Sequence, residues 1–187
     1  VKELWSVPLS GGLPTKLNKA LGTATSTVRD FRISPLSTVV VYSANADVAA
    51  SFELYSVPIA GGASSKLNPA TFPTGGTVAS KQDYRFSPDS SRIVFRGSFK
   101  TDQPIHLGNE LYSVPVAGPF ATGGFRISHG TTLATREVHT NWGIVSRTGV
   151  ANRVVYTGDM DMDDVPEIWV TTLDTAPMAP LPLKLNP

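Results

Sequence analysis

Short runs of β-branched and aromatic residues recur along the chain. They are four to seven residues long and are bounded by Gly, Pro, Ser and Asp, a pattern that predicts short β-strands. Proline followed by Asp or Ser predicts tight turns between them, because proline fixes φ and small polar side chains bind nearby backbone groups. No amphipathic helix of useful length occurs. The clearest runs are Val39-Val40-Val41-Tyr42, Arg92-Ile93-Val94-Phe95 and Arg153-Val154-Val155-Tyr156.

One hexapeptide recurs four times with small changes. It reads ELWSVP from Glu3, ELYSVP from Glu53 and again from Glu110, and EIWVTT from Glu167. The four glutamates are separated by 50, 57 and 57 residues. Self-similarity with a period of roughly 40 to 50 residues is typical of propellers and solenoids.

Each full repeat contains a leading pair of strands, the hexapeptide strand and a closing strand. Residues 31–68, 84–128 and 142–187 form three such units, whereas residues 1–18 supply only the last two strands of a preceding unit. The sequence therefore predicts an all-β fold. We expect a β-propeller with four-stranded antiparallel blades, of which this chain carries about three and a half.

The predicted array is incomplete, because closed propellers typically have four to eight blades. A half blade exposes an unpaired strand edge and the last blade leaves a face uncovered, and both surfaces favour association. Three explanations stay open: a fragment that needs the remaining blades of a longer propeller, a subunit that joins other copies of itself, and a small open solenoid. Simple pairing of two copies is difficult, because neither copy supplies the missing leading strands.

Composition narrows the class of protein. With 41% hydrophobic residues, 15 Pro and 16 Gly in 187 residues, the chain suits a loop-rich globular β protein. A formal net charge of +1 gives no electrostatic footprint for nucleic acid or a membrane surface. Without a long apolar run or a signal peptide, we expect a soluble chain with no membrane insertion. The absence of cysteine excludes disulfides and thiol chemistry.

The repeats carry a family resemblance. The segment SPDSSRIVF, followed by ELYSVPVAG, resembles the TolB-like (WD-repeat-like) β-propeller family, and the resemblance extends over nearly the whole chain. It implies a radial array of blades in a periplasmic or extracellular bacterial protein. It does not imply one particular activity, because a fold does not determine function.

The loop after the second strand of the last repeat is rich in carboxylates. Asp159, Asp161 and Asp163 alternate, and Asp164 and Glu167 follow them. Alternating oxygen ligands in a turning loop suit calcium, which accepts six to eight oxygens in flexible geometry. The TolB-like loop resembles D-x-D-x-D-G at this place, and the three alternating aspartates match it, although Asp164 replaces the glycine. We therefore predict calcium as a possible cofactor at these five residues.

A second interpretation of this acidic run is a solvated surface loop. The corresponding loop of the first full repeat keeps Asn45 and Asp47, at most two ligands, and that of the second has no alternation. Glu53, Glu110 and Glu167 each begin the third strand of their repeat. A structural role in binding loop amides is therefore also expected for this position. Loops 43–52, 96–109 and 157–166 together form the predicted functional rim.

Aromatic residues also invite a binding interpretation. Trp5, Tyr55, Tyr112 and Trp169 occupy one repeat position, but every second side chain of a strand points to the same layer, so we predict packing between blades. Other candidates for contact with a ligand are Trp142 at an inner strand and Phe99 in a loop. The neighbouring polar candidates are Asp83, Arg136, His139 and Asn141.

No catalytic arrangement is evident in the sequence. There is no G-x-S-x-G elbow, no H-E-x-x-H and no Gly-rich phosphate loop before a helix, and the acids crowd one loop instead of facing each other. We predict a non-catalytic scaffold for protein–protein interaction or self-assembly, with a protein partner at the loop rim or the blade edges. The alternative is a glycan- or small-ligand-binding module, or the sensor of a larger enzyme.

Overall fold

The computed structural model contains one two-stranded and three four-stranded antiparallel sheets in its described residues, and these confirm the predicted all-β, propeller-type fold class. Within each four-stranded sheet the strands lie in sequence order, as consecutive up-and-down hairpins. No helix in the described residues is long and apolar enough to cross a membrane. The structure describes residues 1–48, 51–69, 83–98, 108–128, 137–147, 150–161, 164–174 and 182–186.

We name the sheets in chain order. The half-blade consists of β1 (Trp5–Ser6) and β2 (Thr15–Lys16). Blade I consists of β3 (Val28–Ile33), β4 (Val39–Ala44), β5 (Glu53–Pro58) and β6 (Ser65–Lys66). Blade II consists of β7 (Tyr84–Phe86), β8 (Arg92–Gly97), β9 (Glu110–Pro115) and β10 (Phe125–Arg126). Blade III consists of β11 (Val138–Arg147), β12 (Val150–Gly158), β13 (Glu167–Thr172) and β14 (Leu183–Lys184).

The serine of each Ser-Pro pair closes the first hairpin of blades I and II. The Ser34 hydroxyl accepts the Val39 N–H at 3.1 Å, and the Ser87 hydroxyl accepts the Arg92 N–H at 2.9 Å. Ser37 and Ser90 adopt positive φ values of 56° and 61°, which let the chain reverse within these turns. The turn chemistry read from the sequence therefore has the same physical basis in both blades.

Each sheet has two apolar faces with different contents. The leading face, which points to the preceding sheet, carries aromatic residues such as Tyr55, and the trailing face, which points to the following sheet, carries aliphatic residues such as Leu54. Between blades I and II, Val41, Leu54 and Leu67 of the trailing face pack on Tyr84, Ile93, Phe95, Tyr112 and Val114 of the leading face. Equivalent clusters join the half-blade to blade I and blade II to blade III.

Aromatic pairs stabilise the leading faces across neighbouring strands. Tyr42 stacks on Tyr55, and Phe95 stacks on Tyr112, both with ring centroids 5.4 Å apart. Such cross-strand pairs contribute about 0.5 to 1.5 kcal/mol beyond the area that they bury. The repeated hexapeptide thus supplies one member of a stacked pair that helps to join successive blades.

Candidate interaction surfaces and the acidic loop

Three carboxylates of the acidic loop of blade III, those of Asp159, Asp161 and Glu167, contact groups of the protein itself. Asp159 is buried, and its Oδ1 accepts the Glu137 N–H at 2.6 Å. Lys184 Nζ lies 2.7 Å from Glu167 Oε1 and 3.4 Å from Asp161 Oδ2. The Glu167 carboxylate also accepts the Asp161 N–H at 2.8 Å. Two of the predicted calcium ligands therefore share one lysine.

Blade I has the same arrangement. Asn45, at the position of Asp159, accepts the Thr27 N–H at 2.6 Å. Lys66 Nζ lies 2.8 Å from Asp47 Oδ2 and 2.5 Å from Glu53 Oε1. We call the loop aspartate, the third-strand glutamate and the fourth-strand lysine the ion trio. Its presence in two blades gives the first two alternating loop residues a structural role.

The contacts of the blade I trio shift the pKa values of Asp47 and Lys66 in opposite directions. Burial alone would raise the pKa of Asp47, but hydrogen bonds and charges of Lys19 and Lys66 lower the pKa to about 2. Burial lowers the pKa of Lys66, yet its bonds to Asp47 and Glu53 outweigh burial and raise it. In blade III burial would raise the pKa of Glu167, but the bond to Lys184, the Asp161 N–H and the Lys184 charge together lower it. In both trios the contact between carboxylate and lysine therefore favours the charged forms of the groups whose pKa it shifts.

The described carboxylates do not form a group of three that could bind calcium. Asp164 is exposed with a positive φ of 59°, and Asp163 lies outside the described residues. In the part of the chain that the structure describes, no three His, Asp or Glu side chains are grouped so that they could hold a metal ion. Calcium binding at this loop stays a prediction that depends on Asp163.

The third-strand glutamates pair mainly with fourth-strand cations. Glu110 lies 3.2 Å from Arg126 Nη1, and Glu3 pairs with Lys16. The Tyr55 hydroxyl donates to Glu53 Oε2 at 2.5 Å. An amide contact of the expected kind occurs at Glu167. For Glu3, Glu53 and Glu110, the contacts identified within the described residues are to side chains. The glutamate of the hexapeptide, with a cation on the next strand, therefore forms an ion pair in each repeat. The glutamate is buried in the three blades and partly exposed in the half-blade.

The aromatic row of the hexapeptides separates into two environments. Tyr55 is 0%, Tyr112 6% and Trp169 4% exposed, which confirms the prediction of packing between blades. Trp5 is 51% exposed, and for this residue the prediction is wrong. The reason is position in the array, since Trp5 is on the leading face of the half-blade, and no described sheet precedes it.

The opposite end of the array shows the matching exposure. On the trailing face of blade I, Leu54 and Leu67 are fully buried. Their blade III equivalents, Ile168 and Leu185, are 41% and 53% exposed. Val155 is also less buried than its equivalents Val41 and Val94. Blade III therefore presents an apolar trailing face that no described sheet covers.

β1 has a bare strand edge in addition to its exposed face. It pairs with β2, and within the described residues no other strand joins this sheet. In the three blades the equivalent strands β5, β9 and β13 lie between two neighbours. Unpaired strand edges are templates for another chain. We call this edge, with the Trp5 face and the blade III trailing face, the end surfaces.

A second surface lies at the inner strands, on the side of the tight turns. The guanidinium of Arg32 lies 5.8 Å from the Tyr84 ring centroid, and that of Arg85 lies 4.5 Å from the Trp142 centroid. Each arginine thus reaches the inner-strand aromatic residue of the next blade. Together they border a groove of about 440 Å³, lined by Phe31, Arg32, Ile33, Pro35, Arg85 and Phe86.

Glycine in blade III makes room for the second arginine. Gly143 occupies the inner-strand position of Arg32 and Arg85, as the strand registers show. A Cβ at Gly143 would lie 3.5 Å from Arg85 Nη1, so a long side chain there would compete with the guanidinium for space. Burial first, and then the charge of Arg32, lowers the pKa of Arg85. The groove therefore carries two positive groups that repel each other.

The other polar candidates do not form one cluster among the described residues. Asp83 forms a buried ion pair of 2.6 Å with Arg96, whose Nη1 also donates to the Val138 carbonyl. His139 Nε2 is 3.9 Å from Asp159 Oδ1. Asn141 is exposed on β11. Phe99 and Arg136 lie outside the described residues. Sequence reasoning missed the arginine groove, although the repeated Arg after each inner aromatic residue, in FRI and YRF, was its signal.

Comparisons with known proteins find similarity among solved structures. No family model and no curated protein matches the chain. Among solved structures, the chain is similar to a protein assigned as TolB from Agrobacterium tumefaciens, with 14% sequence identity, coverage of 98% of this chain and 73% of that chain, and a TM-score of 0.35. Similarity at this level carries no argument about function, and the fold described above rests on the strands of this chain.

Proposed function

We propose that this protein is a non-catalytic β-propeller scaffold that binds polypeptides, including copies of itself, through its end surfaces. One observation carries the proposal. Positions that are buried between blades in the middle of the array are exposed at both ends, at Trp5 on one side and at Ile168 and Leu185 on the other. Exposed apolar surfaces of this kind favour association.

The two end surfaces are complementary in kind. Within the array, an aliphatic trailing face packs on an aromatic leading face, as Leu54 and Leu67 pack on Tyr112. The trailing face of blade III offers Ile168 and Leu185, and the leading face of the half-blade offers Trp5. A contact between them joins unlike surfaces, so repetition produces a ring or a filament and not a symmetric pair.

Light scattering of the native chain over a range of concentrations tests the proposal. We expect the average mass to increase with concentration, and we expect Trp5→Ser or Ile168→Ser each to return it to the monomer value. Leu36→Ser is the matched control, because Leu36 is an exposed apolar residue in the β3–β4 turn, away from both end surfaces. The control variant should associate like the native chain.

Two outcomes would contradict this function. The first is a native chain that stays monomeric and binds no polypeptide through Trp5. The second is association that persists in both Trp5→Ser and Ile168→Ser. Either result would show that the end surfaces are not the binding sites. Mixing the two end variants adds a further check. Each retains one intact end, so a head-to-tail contact predicts that the mixture forms heterodimers and nothing larger.

Small-ligand binding in the arginine groove is a second candidate function. The specific observation is the pair Arg32 and Arg85 beside Phe31 and Phe86, which suits an anion with an apolar body. Titration with benzoate, followed by tryptophan fluorescence, tests it because Arg85 covers Trp142. We expect benzoate to bind and benzyl alcohol not to bind. The Arg85→Gln variant should lose benzoate binding. An equal response to both compounds would exclude anion recognition.

We place this scaffold in the bacterial periplasm or extracellular space, following the resemblance of its repeats to TolB-like propellers. Fractionation of cells that produce the native protein tests this setting. Recovery with cytoplasmic markers would contradict it.

A further inference from the structure

The arginine groove lies on the inner strands of two consecutive blades. β3 and β7 are each the first strand of a blade whose four strands are all described. Arg32 and Arg85 follow the inner aromatic residue of these blades, and Pro35 and Phe86 contribute apolar walls. The groove therefore combines two cations with an apolar lining, and it lies within the array.

The backbone edges of the two inner strands add hydrogen-bond donors to the groove. The Ser34 N–H donates to the Val39 carbonyl at 2.9 Å, so Ser34 faces β4, and Ser87 faces β8 in the same way. Because backbone groups alternate sides along a strand, those of Ile33 and Phe86 face away from the second strand. Within the described residues, no strand lies on that side of β3 or β7. The N–H groups of these two lining residues are therefore available to an anion in the groove.

The Arg85 guanidinium is held by an aromatic ring. It lies 4.5 Å from the Trp142 ring centroid, and no hydrogen bond or ion pair joins it to another described residue. Burial and the charge of Arg32 lower the pKa of Arg85, and the charge of Asp83 opposes them. The Asp83 carboxylate itself forms a buried pair with Arg96 at 2.6 Å. An anion in the groove would therefore supply the acceptor that Arg85 lacks among these residues.

Charge balance selects the kind of anion. Arg32 and Arg85 repel each other, and one negative charge neutralises only one of them. A doubly negative group neutralises both, and its oxygens can accept from two guanidinium groups and from edge N–H groups together. The planar fork of a guanidinium suits phosphate and carboxylate oxygens. A volume of about 440 Å³ also has room for an apolar body.

We infer that the arginine groove binds a doubly negative group on an aromatic body, as in an aryl phosphate or an aromatic dicarboxylate. This inference rests on the second candidate function proposed above and specifies the ligand of that site. Arg32 and Arg85 bind the charged group, and Phe31 and Phe86 contact the aromatic body. The Ile33 and Phe86 N–H groups donate to the remaining oxygens.

Calorimetric titration of the native protein with phenyl phosphate and with phenyl sulfate tests the inference. At pH 8 phenyl phosphate carries two charges, because the second pKa of a phosphate monoester is about 6, whereas phenyl sulfate carries one. We expect phenyl phosphate to bind at least about tenfold more tightly. At pH 5, where phenyl phosphate is mostly singly charged, the difference should fall to about twofold. Phenyl sulfate keeps its single charge at both pH values and so corrects for titration of the protein.

Two further compounds identify the body and the charged group. Inorganic phosphate should bind at least about tenfold more weakly than phenyl phosphate, because it has no apolar surface to bury. Phthalate carries two carboxylates on an aromatic ring. Tight binding of phthalate would show that a double charge suffices, whereas weak binding would restrict the ligand to phosphates.

Arginine variants locate the binding site. Arg32→Gln leaves Arg85 as the remaining guanidinium of the groove, so it should weaken phenyl phosphate about tenfold and benzoate by less than about threefold. Arg85→Gln should lose binding of both compounds. Arg153→Gln is the matched control, because it removes the same charge from an exposed position on β12 outside the groove lining. The control variant should bind both compounds like the native protein.

The outcomes separate this inference from the candidate function on which it rests. If benzoate and phenyl sulfate bind as tightly as phenyl phosphate at pH 8, and all require Arg85, the groove binds anions but recognition of a double charge is wrong. If none of the compounds binds, or if binding persists in Arg85→Gln, both are wrong. A preference for phenyl phosphate that is unchanged between pH 5 and pH 8 would also overturn the inference. The scaffold function at the end surfaces is independent of these results.

Discussion

The same repeat position behaves differently inside the array and at its ends. Tyr55 and Leu54, on neighbouring positions of β5, are covered by the sheets on either side, whereas Trp5 on β1 and Ile168 on β13 are about half exposed. The side chains have similar polarity, so composition does not cause the difference. What differs is the presence of a neighbouring sheet. In a repeat protein, the burial of a residue is a property of its place in the array as well as its motif.

The ion pairs show the same contrast on a smaller scale. Glu53 is buried with Lys66 and Tyr55 around it, while Glu3 makes its pair with Lys16 at a partly exposed site. One motif therefore yields a structural ion pair in the interior and a surface pair at the end. Surface pairs contribute little to stability, whereas loss of one partner in a buried pair is costly.

Shortening an aliphatic residue should have the largest effect, and only in the interior. We expect Leu54→Ala to lower the free energy of unfolding by about 3 kcal/mol, because it leaves a cavity between blades I and II. The matched Ile168→Ala should cost less than about 1 kcal/mol, because Ile168 is already partly hydrated. Urea denaturation of dilute protein measures both. Equal losses would contradict the distinction between interior and end.

Neutralising the hexapeptide glutamate should have the next largest effect on stability, and the loss should be larger in blade I than in the half-blade. Glu53→Gln weakens a buried charge network and should cost about 2 kcal/mol. Glu3→Gln should cost less than about 0.5 kcal/mol, as expected for a partly exposed pair. Denaturation at pH 7 compares the variants. A larger loss for Glu3→Gln would show that the half-blade is already covered in solution.

Low pH should reduce the stability contribution of Asp47 in blade I. Its pKa is about 2 in the folded chain and 3.8 when unperturbed, so its contribution is present above pH 4 and is lost as pH falls toward 2. We expect this contribution to be about 1 kcal/mol, given that the side chain is partly exposed. Asp47→Asn should remove that part of the pH dependence, whereas the exposed Asp164→Asn should retain it. Identical profiles for native and Asp47→Asn protein would refute the role of Asp47.

Calcium should have the smallest effect if the ion trio explains the alternating acids. We then expect the melting temperature in calcium to differ from that in chelator by less than about 1 °C, well below the effect of a ligand that contributes 1 kcal/mol or more. An increase of several degrees that is lost in Asp163→Asn would instead establish the predicted calcium site.

Much of the fold could be predicted from the sequence, because the local sequence of each repeat predicts its strands and turns. Turn residues such as Ser34 and Ser87 and the alternation around Tyr42 and Tyr55 fix local structure without distant information. The exposure of Trp5 could not be predicted from its motif, since it depends on whether another sheet packs beside it, and none of the described sheets does. The acidic loop was ambiguous for a related reason: only the strand register brings Lys184 between Asp161 and Glu167.

Hydrogen exchange at low and high protein concentration tests the end surfaces most directly. We expect association to protect the amides around Trp5 and around Ile168, and to leave the β3–β4 turn near Leu36 unchanged. Protection at both ends, lost together in Trp5→Ser, would establish the head-to-tail contact. Protection confined to the loop rim, with both ends still exchanging freely, would contradict the claim that this array binds through its uncovered faces.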